Sequence, residues 1–127
     1  MEDDIANIEL GGKWIIPRYK DFEELVTETN NSFVSKYEIT ERVYKSGYLF
    51  KSNKRNNPNE LFIPVCGLIN GRGELCANYD GWYWSSEIYG ENLEYAYKLL
   101  FGNSDICVAS HLRCDGLQIR PVLKRNI

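Results

Sequence analysis

Between Asn103 and Gly116 the chain carries Asp105, Cys107, Ala109, His111 and Arg113 at every second position, with Asp115 next in the series. An extended backbone turns alternate side chains to opposite faces. With Ile106, Val108 and Leu112 facing a core, the first five form one outward row of an acid, a thiol, a methyl, an imidazole and a guanidinium. Such a row can contact a ligand, but it has no chemical theme. His111 is the chain's only histidine, and local spacing places no Ser or Cys beside it, so it reads as a surface imidazole and no catalytic group is expected. Tyrosine is a rigid contact residue at binding surfaces, and Tyr79, Tyr89, Tyr95 and Tyr97 lie near the same end. Tyr97 shares its parity with Leu99 and Phe101 and reads as packing. The expected ligand-binding set is Tyr89, Asn92, Tyr95, Asn103, Asp105, Cys107, Ala109, His111, Arg113 and Asp115, on a face built from 103–115 with help from the 87–95 loop.

Metals and cofactors are not expected. Cys66, Cys76, Cys107 and Cys114 form no C-x-x-C pair, and a single histidine does not complete a standard zinc set. Four cysteines allow three pairings, and spacing does not rank them; Cys107 and Cys114 could bridge across a turn or stay free, while Cys66 reads as a buried thiol. Net charge is −3 and the basic residues are dispersed, which does not favour nucleic acid or an anionic membrane as partner. No apolar run approaches the roughly 20 residues of a bilayer span, and the acidic N-terminus does not resemble an export signal. Those features fit a virion-associated or cytoplasmic protein, or one displayed at a surface through a partner.

The elements that must position the row are short. Gly81-Trp82-Tyr83-Trp84-Ser85-Ser86 reads as a core strand, because three large aromatics in succession bury much apolar area when alternate rings turn inward. Residues 61–67, 95–101 and 106–110 give further strands, separated by Asn- and Gly-rich turns. Upstream, Tyr19, Phe22, Leu25 and Val26 fall at the spacing of one helix face, and Asn30-Asn31 is expected to end that helix. Ile5 to Leu10 is expected to enter as a strand, Asn31 to Val43 as a short helix or irregular loop, and Tyr44 to Lys51 as a strand leading into a loop over 52–60. The 127 residues thus predict one α+β domain spanning 1–127, with helix in the first half and strands in the second. No Gly-rich phosphate loop or β-α-β alternation accompanies them.

Several blocks, in order, resemble the Fibrobacter succinogenes major paralogous domain family. They are Gly12-Lys13-Trp14-Ile15-Ile16-Pro17 with Asp21-Phe22-Glu23-Glu24-Leu25, then Leu61-Phe62-Ile63-Pro64-Val65-Cys66-Gly67, then Gly81-Trp82-Tyr83-Trp84-Ser85-Ser86. Ala96-Tyr97-Lys98-Leu99-Leu100-Phe101 and Gly116-Leu117-Gln118-Ile119-Arg120-Pro121-Val122 complete the series. The resemblance implies a C-type-lectin-like fold, one or two helices on a twisted antiparallel sheet with the chain ends together. It also implies kinship with proteins varied by diversity-generating retroelements, whose C-terminal part displays a changeable surface. Arg18 stands where the family places a capping Thr, so the cap must come from elsewhere. The calcium-dependent sugar-binding triplets of lectin-like folds do not occur.

Residues 103–116 contain no Lys, Glu, Gln, Met or Trp. Every residue type that is present can arise by changing the first two bases of an Asn codon, the adenine-directed scrambling those relatives undergo. Glu87, Glu91, Glu94 and Lys98 cannot arise that way and would be fixed positions. The expectation is a non-enzymatic binding or display module of a phage or gut bacterium, taking a protein or glycan ligand on varied C-terminal strands. Two rivals stand beside it: a relative of the formylglycine-generating oxidases, which use a reactive cysteine pair, and a virion decoration protein without a ligand.

Overall fold

Asp4 decides how the chain begins to fold. Its carboxylate accepts from the backbone N–H of Asn7 at 3.1 Å and from that of Ile16 at 3.0 Å. One side chain therefore caps helix α1 (Ile5–Leu10) and also anchors the chain at Ile16. This cap is why Ile5 to Leu10 is a helix and not the expected strand. The computed structural model describes residues 4–76, 79–88, 90 and 93–123. Beyond α1, β1 (Trp14–Ile15) pairs antiparallel with β10 (Val122–Leu123), which brings the two ends of the described chain together.

Helix α2 (Tyr19–Thr27) forms where the apolar spacing places it, and it buries Phe22. Its cap is supplied from inside the helix: the Asp21 carboxylate accepts from the Arg18 N–H at 2.8 Å and pairs with the Arg18 guanidinium at 3.1 Å. At the other end Asn31 donates to the Val26 carbonyl at 2.9 Å, and Thr29 Oγ1 donates to that of Leu25. Asn31 thus helps to stop the helix as expected, but it does so from within the next strand.

That strand is the largest departure from expectation. Asn31 to Val43 is neither helix nor loop: β2 (Thr29–Thr40) pairs antiparallel with β3 (Val43–Ser52) along its length. Register shifts between Val34 and Tyr37 and again between Glu38 and Thr40 insert extra residues, and each resets the side-chain parity. The period-two signal is erased although the pairing is continuous. On its other edge β3 pairs with β4 (Glu60–Pro64). Gly47 is required there: a Cβ would lie 2.3 Å from the Ile63 carbonyl oxygen.

The small hairpin of β5 (Leu68–Ile69) and β6 (Leu75–Cys76) leads to a second three-stranded antiparallel sheet, β7 (Gly81–Ile88), β8 (Tyr95–Phe101) and β9 (Ile106–Leu112). Gln118 runs beside β7, exchanging backbone bonds with Trp82 and Trp84. The described residues form a mixed fold of mostly antiparallel strands in several sheets with two helices, a small α+β arrangement. Among the described residues no helix is long and apolar enough to cross a membrane.

The core lies where the two larger sheets and α2 meet. Tyr48 and Phe50 of β3, Ile63 of β4, Tyr83 of β7, Leu99 and Phe101 of β8, and Phe22 of α2 form one buried cluster. Full burial of each such side chain contributes about 1.5–3 kcal/mol. Phe101 stacks on Tyr83 at 6.2 Å and meets Tyr48 at 5.3 Å. The Tyr83 hydroxyl donates to the Pro64 carbonyl at 2.6 Å, tying β7 to β4. Of the three successive aromatics, only Tyr83 belongs to this core; Trp82 and Trp84 are half-buried on the other side of β7.

Candidate functional site

Residues directly opposite one another in an antiparallel ladder share a face. Lys98 opposes both Trp84 and Ala109, Leu100 opposes both Trp82 and Cys107, and Ala96 opposes His111. One face of the β7-β8-β9 sheet therefore carries Trp82, Trp84, Lys98, Leu100, Cys107, Ala109 and His111. The other face, with Tyr83, Leu99, Phe101, Ile106 and Val108, turns to the core and α2. The outward parity expected for Cys107, Ala109 and His111 holds.

Chemically the face differs from expectation. His111 is no isolated surface imidazole: its Nδ1 lies 2.9 Å from Lys98 Nζ and its Nε2 lies 2.7 Å from Asp115 Oδ2. An ammonium has only donors, so Nδ1 accepts from Lys98 and the Nε2–H donates to Asp115, which fixes the tautomer. Both indoles hold the ring edge-on, Trp82 at 5.3 Å and Trp84 at 5.8 Å between centroids. Lys98 Nζ sits 4.2 Å from the centroid of the Trp82 ring. Lys98 is 7% exposed, while the His111 and Asp115 side chains keep 15% and 16% of their surface. Burial pushes the Lys98 amine below the usual lysine range, partly opposed by the nearby Cys107 and Asp115.

The other expected site residues are distributed. Asn103 and Asp105 are exposed in the β8-β9 turn, where Gly102 N–H donates to the Asp105 carbonyl at 3.0 Å. Arg113 and Asp115 follow the far end of β9. Eight residues of extended chain span about 27 Å, so Asp105 and Arg113 do not belong to one small pocket. Tyr95 opposes Leu112, which puts it on the face away from His111. Leu112 keeps the expected parity yet is 41% exposed, because β9 outruns the core at that end. Tyr97 packs against Tyr19 of α2 at 4.3 Å, as its parity predicts. Tyr89 and Asn92 lie outside the described residues.

Arg113 donates to the Leu93 carbonyl at 2.7 Å and lines, with Trp84, Ala96, Ile16 and Ile119, an open cleft of about 330 Å³. Trp84 thus borders both the cleft and the histidine. All four cysteines are free and stand on different segments. A Cys107–Cys114 bridge has no geometry, since β9 separates the two along its length. Cys66 is half-buried and donates to the Trp82 carbonyl at 3.6 Å, and burial raises its thiol pKa. Among the described residues no three His, Cys, Asp or Glu side chains converge as a metal cluster.

Lys98, Trp82 and Trp84 are the residues that sequence reasoning left out of the site. The signal for Lys98 was present: it is a charged residue inside an apolar strand, at the parity opposite to Tyr97, Leu99 and Phe101. Comparison with family models, with curated proteins and with solved structures finds no match to this chain.

Proposed function

We propose that this chain is a non-enzymatic ligand-binding or display module of C-type-lectin-like architecture, whose ligand meets the outer face of β7-β8-β9. The observation that carries the reading is the composition of that face. It has two half-buried indoles, a hydrogen-bonded Lys98–His111–Asp115 chain and an exposed Cys107, on the side of the sheet turned away from the core. Aromatic faces beside hydrogen-bonded polar groups are what recognition of a protein or glycan uses. Support for the lectin-like architecture comes from the ordered sequence blocks, the paired chain ends and a helix packed on an antiparallel sheet. Support for retroelement diversification comes from the residue types at 103–116, with Lys98 as a fixed position.

Asp105→Ala, Cys107→Gln and Arg113→Ala, combined, test the reading, because all three residues are exposed. On an array of glycans and cell-surface proteins the variant loses the binding that the parent shows. Its unfolding midpoint stays within about 3 °C of the parent's. Unchanged binding contradicts the proposal. Diversification has a separate test in the neighbouring DNA, which should hold a reverse transcriptase gene and a near-identical repeat differing at codons 103, 105, 107, 109, 111, 113 and 115.

A further inference from the structure

Lys98, His111 and Asp115 stand in the relation of nucleophile, base and orienting group. The amine is within 2.9 Å of a ring nitrogen whose lone pair points at it, and a carboxylate at 2.7 Å holds the opposite nitrogen. Covalent catalysts use this arrangement with hydroxyls and thiols, and the same logic applies to an amine kept out of water. One hydrogen of the Lys98 ammonium is directed to His111, and the Trp82 face takes up another side of the group. Lys98 keeps 7% of its surface, and its neighbours across the ladder on β9 are half-buried Ala109, directly opposite, and exposed Cys107, the next residue on that face.

Resting on the reading of this face as the ligand surface, we infer that Lys98 captures a ligand bearing an aldehyde or ketone as a covalent imine. The step is balanced without oxidant or reductant. The ammonium passes a proton to His111 Nδ1, and Asp115 stabilises the imidazolium that forms. The freed lone pair attacks the carbonyl carbon while the C–O π pair moves to oxygen, and the oxygen takes the proton back from Nδ1. The nitrogen then gives one of its two protons to Nδ1, leaving a neutral carbinolamine. The imidazolium protonates the hydroxyl, water departs, and the nitrogen lone pair closes the C=N bond. The product iminium keeps one N–H and one positive charge, so it replaces the ammonium opposite His111 and over Trp82. The lowered pKa of Lys98 works in the same direction, since it reduces the cost of the first proton transfer. This is stoichiometric capture, in keeping with a binding module.

The test is reductive trapping of the intact chain at pH 7 with benzaldehyde and cyanoborohydride, with each lysine quantified by peptide mass mapping. Lys98 is expected to label at least about tenfold faster than exposed Lys20, Lys45 and Lys51, as general-base assistance of this kind provides. His111→Gln, which keeps an acceptor but not a base, is expected to bring Lys98 to or below their rate with the unfolding midpoint retained. Labelling of Lys98 in the parent chain at or below the rate of the exposed lysines overturns the inference. Benzyl alcohol, which cannot form an imine, separates the two levels. If it perturbs the fluorescence of Trp82 and Trp84 while Lys98 stays unlabelled, the face binds ligands and only the covalent step falls. If neither probe has an effect, the capture falls, and the face itself is then judged by the array.

Discussion

At the scale of single residues the polar chain on the outer face has asymmetric parts. Lys98 is buried and satisfied by one imidazole, so removing the acceptor differs from removing the charge. His111→Ala leaves a buried ammonium without its partner and is predicted to cost about 1–3 kcal/mol in urea unfolding. Lys98→Met removes the charge and keeps the stem, and is predicted to fall within about 1 kcal/mol of the parent, as buried charges replaced by apolar isosteres often do. Equal losses in both variants would show that packing, not the hydrogen bond, sets the energetics. The parity of Cys107, Ala109 and His111 was legible in the sequence because strand alternation is local. The pairing of His111 with Lys98 was not, because it joins two strands whose register is set only when the sheet forms. Asp115 is among the residues expected at the site, although nothing in its spacing names His111 as its partner.

Elements were legible where one face is apolar and regular. Helix α2 and the aromatic strand β7 follow from their periodicity. Strand β2 was hidden by its bulges, which break alternation twice within 12 residues. Helix α1 was hidden by its shortness: six residues carry little periodic signal, and a capping side chain decides the outcome. Because the Asp4 carboxylate serves both Asn7 and Ile16, Asp4→Ala is predicted to cost about 1–2 kcal/mol. It should also raise amide exchange at both Asn7 and Ile16. Faster exchange at Asn7 alone would mean that Asp4 only caps the helix and does not hold the chain at Ile16.

For the molecule as a whole, alkaline pH probes the core and the site together. Burial raises the pKa of the Cys66 thiol and of the Tyr83 and Tyr48 phenols. A group whose pKa is raised on folding contributes stability below its unfolded pKa and loses that contribution as pH rises through the folded value. Lys98 has the opposite sign: its lowered pKa penalises folding at neutral pH, and the penalty is relieved as the amine deprotonates. The Tyr19 and Tyr37 phenols are raised as well, by hydrogen bonds to Glu23 and Glu60, so the raised groups outnumber the lowered one and the unfolding midpoint is predicted to fall from about pH 9 upward. Cys66→Ala should remove the earliest part of the fall, and an unchanged profile in that variant would contradict the assignment. The α+β class was legible at this scale because the apolar runs were. The division of the strands into two three-stranded sheets around one aromatic core, with two short pairs beside them, was not, because long-range pairing leaves no local mark.

Whether ligand contact belongs to one face of β7-β8-β9 is decided by moving a substitution one residue along β9. Cys107→Gln with Ala109→Gln changes the outer row, whereas Ser110→Gln changes the opposite one at the position facing Tyr97. On the glycan and protein array the outer pair is predicted to lose binding and Ser110→Gln to retain it, with the parent and both variants folded by circular dichroism. Binding that survives the outer pair, or that is lost only with Ser110→Gln, would remove the ligand from this face.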